Sequence, residues 1–186
     1  MSLRSLLSSR LRIAGLSCAT LALAGVVLPA QSAEAPAFNT DLTLSNIMEF
    51  IVMPAADALW KAVSVDVSAE GSKNVVPETE EQWLELRHEA MTLAGATNLL
   101  LVPGLNIDTP PESDEHPDGE LSPKAIAKLR QENLAAWAAH AKVLHETALH
   151  AIEAIDKRDA TAVSDIGGDL DAACESCHLQ FWYPGG

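Results

Sequence analysis

Five consecutive residues near the end of the chain, Cys174-Glu175-Ser176-Cys177-His178, hold the side chains best suited to chemistry. On a helix, two thiols three residues apart lie near one face, and the adjoining imidazole lies beside them. Such a pair can reach two neighbouring vinyl groups of one porphyrin, while the imidazole takes an axial position on its iron. The C-x-x-C-H run therefore reads as the attachment point of one covalent haem c, with Cys174 and Cys177 as sulfur donors and His178 as an iron ligand.

Three other chemistries use similar residues, and each fits less well. A thioredoxin-like C-x-x-C belongs near a βαβ pattern, whereas this pair ends a chain of helical periodicity. A structural zinc ion needs four ligands, and Cys174, Cys177 and His178 supply three. A disulfide closing so short a loop would stabilise little, since the effect grows with loop length.

Helices must present these groups, and Val, Ile and Thr do not gather into alternating runs. Alanine-rich stretches with 3.6-residue periodicity dominate, so the chain reads as all-α. A first helix is expected from about Asp41 to Val65, with Leu44, Met48, Ile51, Val52, Ala55, Leu59 and Ala62 on one face and a kink or break at Pro54. A second starts at the capping box Thr79–Gln82 and stops near Pro103-Gly104. A third runs from Ser122 and Pro123 to about Lys157, with Trp137, Ala141, Leu144, Ala148, Ile152 and Ile155 as its stripe. A fourth starts near Asp159 and carries Val163, Leu170, Cys174 and Phe181 along one side. Residues 66–78 and the acidic, proline-rich segment 108–121 are expected as connections. Four amphipathic helices in a chain of this size imply an antiparallel four-helix bundle, with the haem near the C-terminal helix.

The first 33 residues read as a signal peptide. Arg4, Arg10 and Arg12 precede the apolar run Ile13–Leu28, and small residues follow up to an expected cut after Ala33. The run is shorter than the roughly 20 residues of a spanning helix, so no membrane span is expected after processing, and Cys18 leaves with the leader. Residues 34–186 are expected to form one exported domain, with nine basic residues against 26 acidic ones and a formal charge of −17. Nucleic acid is an unsuitable partner for such a surface, and a redox protein with a basic docking face suits it.

On two stretches the chain resembles the class II c-type cytochromes, the cytochrome c prime family. The first is Cys174–His178 on a fourth helix close to the C-terminus. The second is Ile47-Met48 followed by Pro54-Ala55-Ala56-Asp57-Ala58-Leu59-Trp60 in the first helix, which looks like the methionine-ligated low-spin branch. The resemblance implies a periplasmic four-helix bundle whose first helix supplies the distal residue, and a family in which homodimers are common. Low-spin members fill the sixth iron position with a first-helix methionine, and high-spin members leave it empty. Many high-spin members also place a basic residue where this chain has Trp182, so that residue is not carried over.

Two methionines compete for the distal place. Met48 is favoured because it lies at the centre of the apolar stripe, while Met53 falls about 140° away by helical geometry. Met48 as core filler is the plainer alternative. His140 and His145 flank the third-helix stripe, where either would be solvated, touch the haem edge or pair with His178. Phe181 and Trp182 are expected to pack against the haem; Trp60, Trp83 and Trp137 read as core or haem-packing residues. No phosphate loop, catalytic triad or paired carboxylates stand out, so an enzyme is not expected. The expected function is transfer of single electrons through a His178/Met48-ligated iron. A five-coordinate protein binding nitric oxide or carbon monoxide is the alternative, and a haem-dependent structural or sensory module a third.

Overall fold

The computed structural model describes residues 38–69 and 71–185; the expected leader, its cut after Ala33 and Cys18 lie outside them. The described chain is mostly helical, with one two-stranded sheet.

Helix α1 (Leu44–Ile47) begins at a reciprocal cap. The Thr43 hydroxyl accepts from the Asn46 N–H and the Asn46 amide oxygen accepts from the Thr43 N–H, each at 3.2 Å. Two further N–H groups of this first turn, Leu44 and Ser45, donate to the carbonyls of Asn106 and Ile107 at 2.8 and 2.9 Å. Donors that a helix start leaves orphaned are thus satisfied by a segment some sixty residues away.

The helix continues through a π turn, Met48–Val52, into α2 (Met53–Ala62). Pro54 explains the turn. In a regular helix its ring would collide with the carbonyl four residues back, and its missing N–H would leave a gap in the ladder. The π turn instead lets the Met53 N–H reach the Met48 carbonyl, five residues away. The expected break at Pro54 is therefore a change of pitch on its N-terminal side. A wider turn advances each residue by less than the 100° of an α-helix, so the buried stripe shifts phase. Ile47 and Val52, five apart, become buried, and Met48 is half-buried beside them rather than at the centre of the stripe.

The first connection differs from expectation. Residues 64–75 form a hairpin of β1 (Ser64–Ser68) and β2 (Gly71–Val75), in antiparallel register from Ser64 opposite Val75 to Ser68 opposite Gly71. Ser64-Val65-Asp66-Val67-Ser68 does alternate, in a run short enough to be lost among helical signals. Gly71 closes the turn at φ +128°, a backbone region that favours glycine.

Helix α3 (Glu80–Ala96) starts at the expected box. The Gln82 N–H donates to the Thr79 hydroxyl at 3.2 Å, and the Gln82 side-chain oxygen accepts from the Thr79 N–H at 3.0 Å. A 3₁₀ turn, Leu99–Leu101, follows. The expected third helix is two: α4 (Pro123–Glu132), capped by Ser122, and α5 (Leu134–Asp156). Asn133 divides them at φ −132°, ψ 39°. Its side-chain amide donates to the Leu129 carbonyl at 2.9 Å, taking the acceptor its own backbone N–H would use in a continuous helix. Helix α6 (Ala160–Phe181) starts at Asp159, which accepts from the Ala162 N–H at 3.0 Å.

Side-chain contacts fix the order of packing. Glu80 meets Arg158, Arg87 meets Asp156 and Thr97 meets His145, so α3 and α5 run antiparallel. A short turn joins α5 to α6, and His140 meets both Ser176 and Gln180, so these two also run antiparallel. The end of α2 lies beside the start of α3, and α1 beside the turn that follows α3. The Trp60 indole donates to the Gly167 carbonyl at 3.0 Å, joining α2 to α6. Leu93, Ile155, Leu170 and Phe181 are the largest fully buried side chains between these helices. Burial of each contributes about 2 kcal/mol before entropy is counted.

Arg130 is the buried cation of this interior. Its guanidinium donates to the carbonyls of Leu105 (3.1 Å), Leu100 (3.3 Å) and Val102 (2.9 Å), and lies 5.0 Å from the centre of the Trp137 ring. Burial pushes its pKa down from the ordinary arginine value. It pins the irregular segment 99–107, and that segment in turn caps α1.

Candidate functional site

Cys174 and Cys177 sit one turn apart near the end of α6, both half-buried and packed against the core beside buried Ala173 and Phe181. Both are free thiols. Burial pushes each pKa up to about 11, helped at Cys174 by the Asp171 carboxylate and at Cys177 by Cys174. At neutral pH they are therefore thiols and not thiolates, unlike the activated cysteines of redox or nucleophilic sites. Among the described residues, no group of three or more His, Cys, Asp or Glu side chains is arranged to hold a metal ion, so Cys174, Cys177 and His178 do not converge as zinc ligands would.

His178 is half-buried, and burial lowers its pKa, with Glu175 opposing; the neutral imidazole, the form that can ligate a metal, is favoured. Two aromatic rings flank it. Trp182 stands edge-on with ring centres 5.0 Å apart and planes at 86°, and Tyr183 is tilted at 5.9 Å. Both rings are tethered. The Trp182 indole donates to Glu120 at 2.7 Å, and the Tyr183 hydroxyl donates to Glu175 at 2.6 Å. That bond to Glu175 holds the Tyr183 proton and pushes its pKa up to about 12. A third tie runs from the Leu121 N–H to the Trp182 carbonyl at 2.7 Å, anchoring the end of the acidic segment to the C-terminal turn.

The remaining sequence candidates fall on different sides. Phe181 is buried, meeting the rings of Trp137 at 5.0 Å and His140 at 5.9 Å. Trp182, at 38% exposure, keeps an open edge. His140 is drawn onto α6 by Ser176 (3.3 Å) and Gln180 (2.8 Å). His145 is held on α3 by Thr97 and the Ala94 carbonyl, both at 3.0 Å. His88, His116 and His150 are exposed.

No family model, curated protein or solved structure matches this chain.

The first helix supplies the other half. Because each long helix runs antiparallel to the next, the first helix also opposes α6. Counting from the Trp60–Gly167 contact, twelve residues back stands Met48 and twelve residues on stands Leu179, the neighbour of His178. Met48 and His178 therefore lie at the same level to within about one 5.4 Å turn. The first helix meets α6 chiefly through α2, while the π turn packs on α3 and α1 on the Leu99–Leu101 turn. Met53, at 52% exposure, points to solvent. Two thiols, an adjoining half-buried imidazole and a half-buried thioether at about the same level are donor types that fit a covalently held haem.

Sequence reasoning did not find Glu120, Glu175 or the placement of Tyr183 against His178. Glu175 and Tyr183 are eight residues apart and carried a local signal, a tyrosine two helical turns beyond a glutamate. Glu120 reaches Trp182 across 62 residues, a distance no local pattern spans.

Proposed function

We propose that this chain is a c-type cytochrome that carries single electrons, an antiparallel four-helix bundle holding one haem c on its last helix. One observation carries the proposal: Cys174 and Cys177 lie one turn apart on the inward side of α6, with His178 adjoining them in a half-buried aromatic setting. When bound, the haem iron would supply a centre that cycles between ferrous and ferric. Cys174 and Cys177 would hold the haem through thioethers, each S–H adding across a vinyl C=C to give a C–S and a C–H bond with no oxidant required. His178 and Met48 would hold the iron through nitrogen and sulfur, a His/Met pair associated with higher potentials than thiolate or tyrosinate ligation.

An electron carrier of this kind, exported to the periplasm and charged at −17, would meet a basic redox partner through a small, salt-sensitive interface. The test is the optical spectrum of the reduced, haem-loaded protein before and after carbon monoxide. A low-spin spectrum that ignores the gas supports the His178/Met48 carrier. A high-spin spectrum that shifts at once would replace it with gas binding at an open iron.

A further inference from the structure

We infer that Trp182 and Tyr183 are positioning residues that fix the plane of the His178 imidazole, each ring held in place by a carboxylate anchor. The inference rests on the reading of His178 as an iron ligand.

A histidine at the end of a helix has two soft torsions, and its ring can turn about Cβ–Cγ in a broad well. An axial imidazole that turns freely changes its overlap with the iron and exposes its far nitrogen to water. Ligating histidines are ordinarily fixed by a hydrogen bond from that far nitrogen to a carboxylate or carbonyl. At His178 the contacts are of another kind. Trp182 stands nearly perpendicular to the imidazole at 5.0 Å, and Tyr183 is tilted at 5.9 Å, while the two aromatic rings lean on each other at 5.3 Å. The arrangement is a corner with the imidazole inside it. The edge-to-face contact with Trp182 sets a positive ring edge against a negative ring face, and with the tilted Tyr183 ring beside it one orientation of the imidazole is favoured.

The corner is itself held. Backbone N–H groups of Trp182 and Tyr183 both donate to the His178 carbonyl, at 2.8 and 3.0 Å, so the turn folds back on the residue it encloses. Glu120 accepts from the Trp182 indole and Glu175 accepts from the Tyr183 hydroxyl, while the Leu121 N–H holds the Trp182 carbonyl. Glu120 and Leu121 belong to the segment between α3 and α4, so the far connection of the fold fixes the orientation of the C-terminal turn. A plain helix ending would not need three ties across two elements.

The test is the ferric electron paramagnetic resonance spectrum of the haem-loaded chain, comparing Trp182→Leu and Trp182→Phe with the unaltered protein. Leu keeps the apolar volume and removes the ring; Phe keeps a ring and removes the bond to Glu120. The expected result is a displaced and broadened largest g value in Trp182→Leu, with a smaller displacement in Trp182→Phe. Haem attached in both variants with g values and line widths unchanged would overturn the inference and leave the haem assignment standing. Absence of haem from the unaltered protein would overturn both. If Trp182→Leu fails to fold, Trp182→Phe alone decides: a shift supports the corner and an unchanged spectrum rejects it.

Discussion

The C-terminal end of α6 and the start of the first helix stand at the same level of the molecule and are built in opposite ways. At the α6 end, helix geometry is regular, and three neighbouring residues present their groups by spacing alone. Long-range ties enter only afterwards, to hold Trp182 and Tyr183 around His178. In the first helix, Met48 gains its place through an irregularity. Pro54 forces a π turn, the turn shifts the buried stripe, and the segment 99–107 caps the helix from outside. Under the proposed attachment, a simple support suffices at Cys174 and Cys177 because covalent bonds would hold the group. A lone thioether sulfur needs its helix phase and height set by the rest of the chain.

The sharpest way to break this contrast is to remove the anchor. Replacing both Cys174 and Cys177 with Ser should abolish retention of haem by the denatured chain, and either single replacement should leave one bond. Haem staining after denaturing electrophoresis reads the result, and retention in the double variant would end the assignment of the α6 end. The next largest effect belongs to the opposite helix. Met48→Ala should convert the ferrous spectrum to one that responds to carbon monoxide, while Met53→Ala, on the exposed side, should leave it unchanged. Reversed outcomes would show that the π turn sets a different phase from the one argued above.

The smallest of the three sharpens how the first helix is held. Arg130→Met keeps the apolar stem but leaves the carbonyls of Leu100, Val102 and Leu105 without their donor. Unfolding in urea should register a loss of about 3 kcal/mol. A loss under about 1 kcal/mol would mean that water replaces the guanidinium and that Arg130 does not hold segment 99–107.

Local features of this chain were legible in its sequence, and features that couple distant residues were not. Thr79, Ser122 and Asp159 mark helix starts because a cap acts within three residues. Cys174, Cys177 and His178 share one side of α6 because a helical turn brings such spacings together. Pro54 was visible as a disturbance, yet whether a proline kinks, breaks or widens a helix depends on what that helix packs against, here α3. Asn133 looked like an ordinary helix residue until its amide took the Leu129 carbonyl. No local pattern marks Arg130 as buried, and only the fold gathers three carbonyls around it.

The hairpin of β1 and β2 stands apart from this interdependence. Residues Ser64, Val65, Ala69 and Gly71–Val76 are exposed. The two strands pair with each other in a two-stranded sheet, and β1 meets the end of α2 through the Ser64 hydroxyl, which donates to the Lys61 carbonyl at 3.5 Å. A reporter or affinity peptide inserted between Ala69 and Gly71 should therefore leave folding and the spectrum of the protein intact, giving a handle for immobilising it with its C-terminal turn facing away from the linkage.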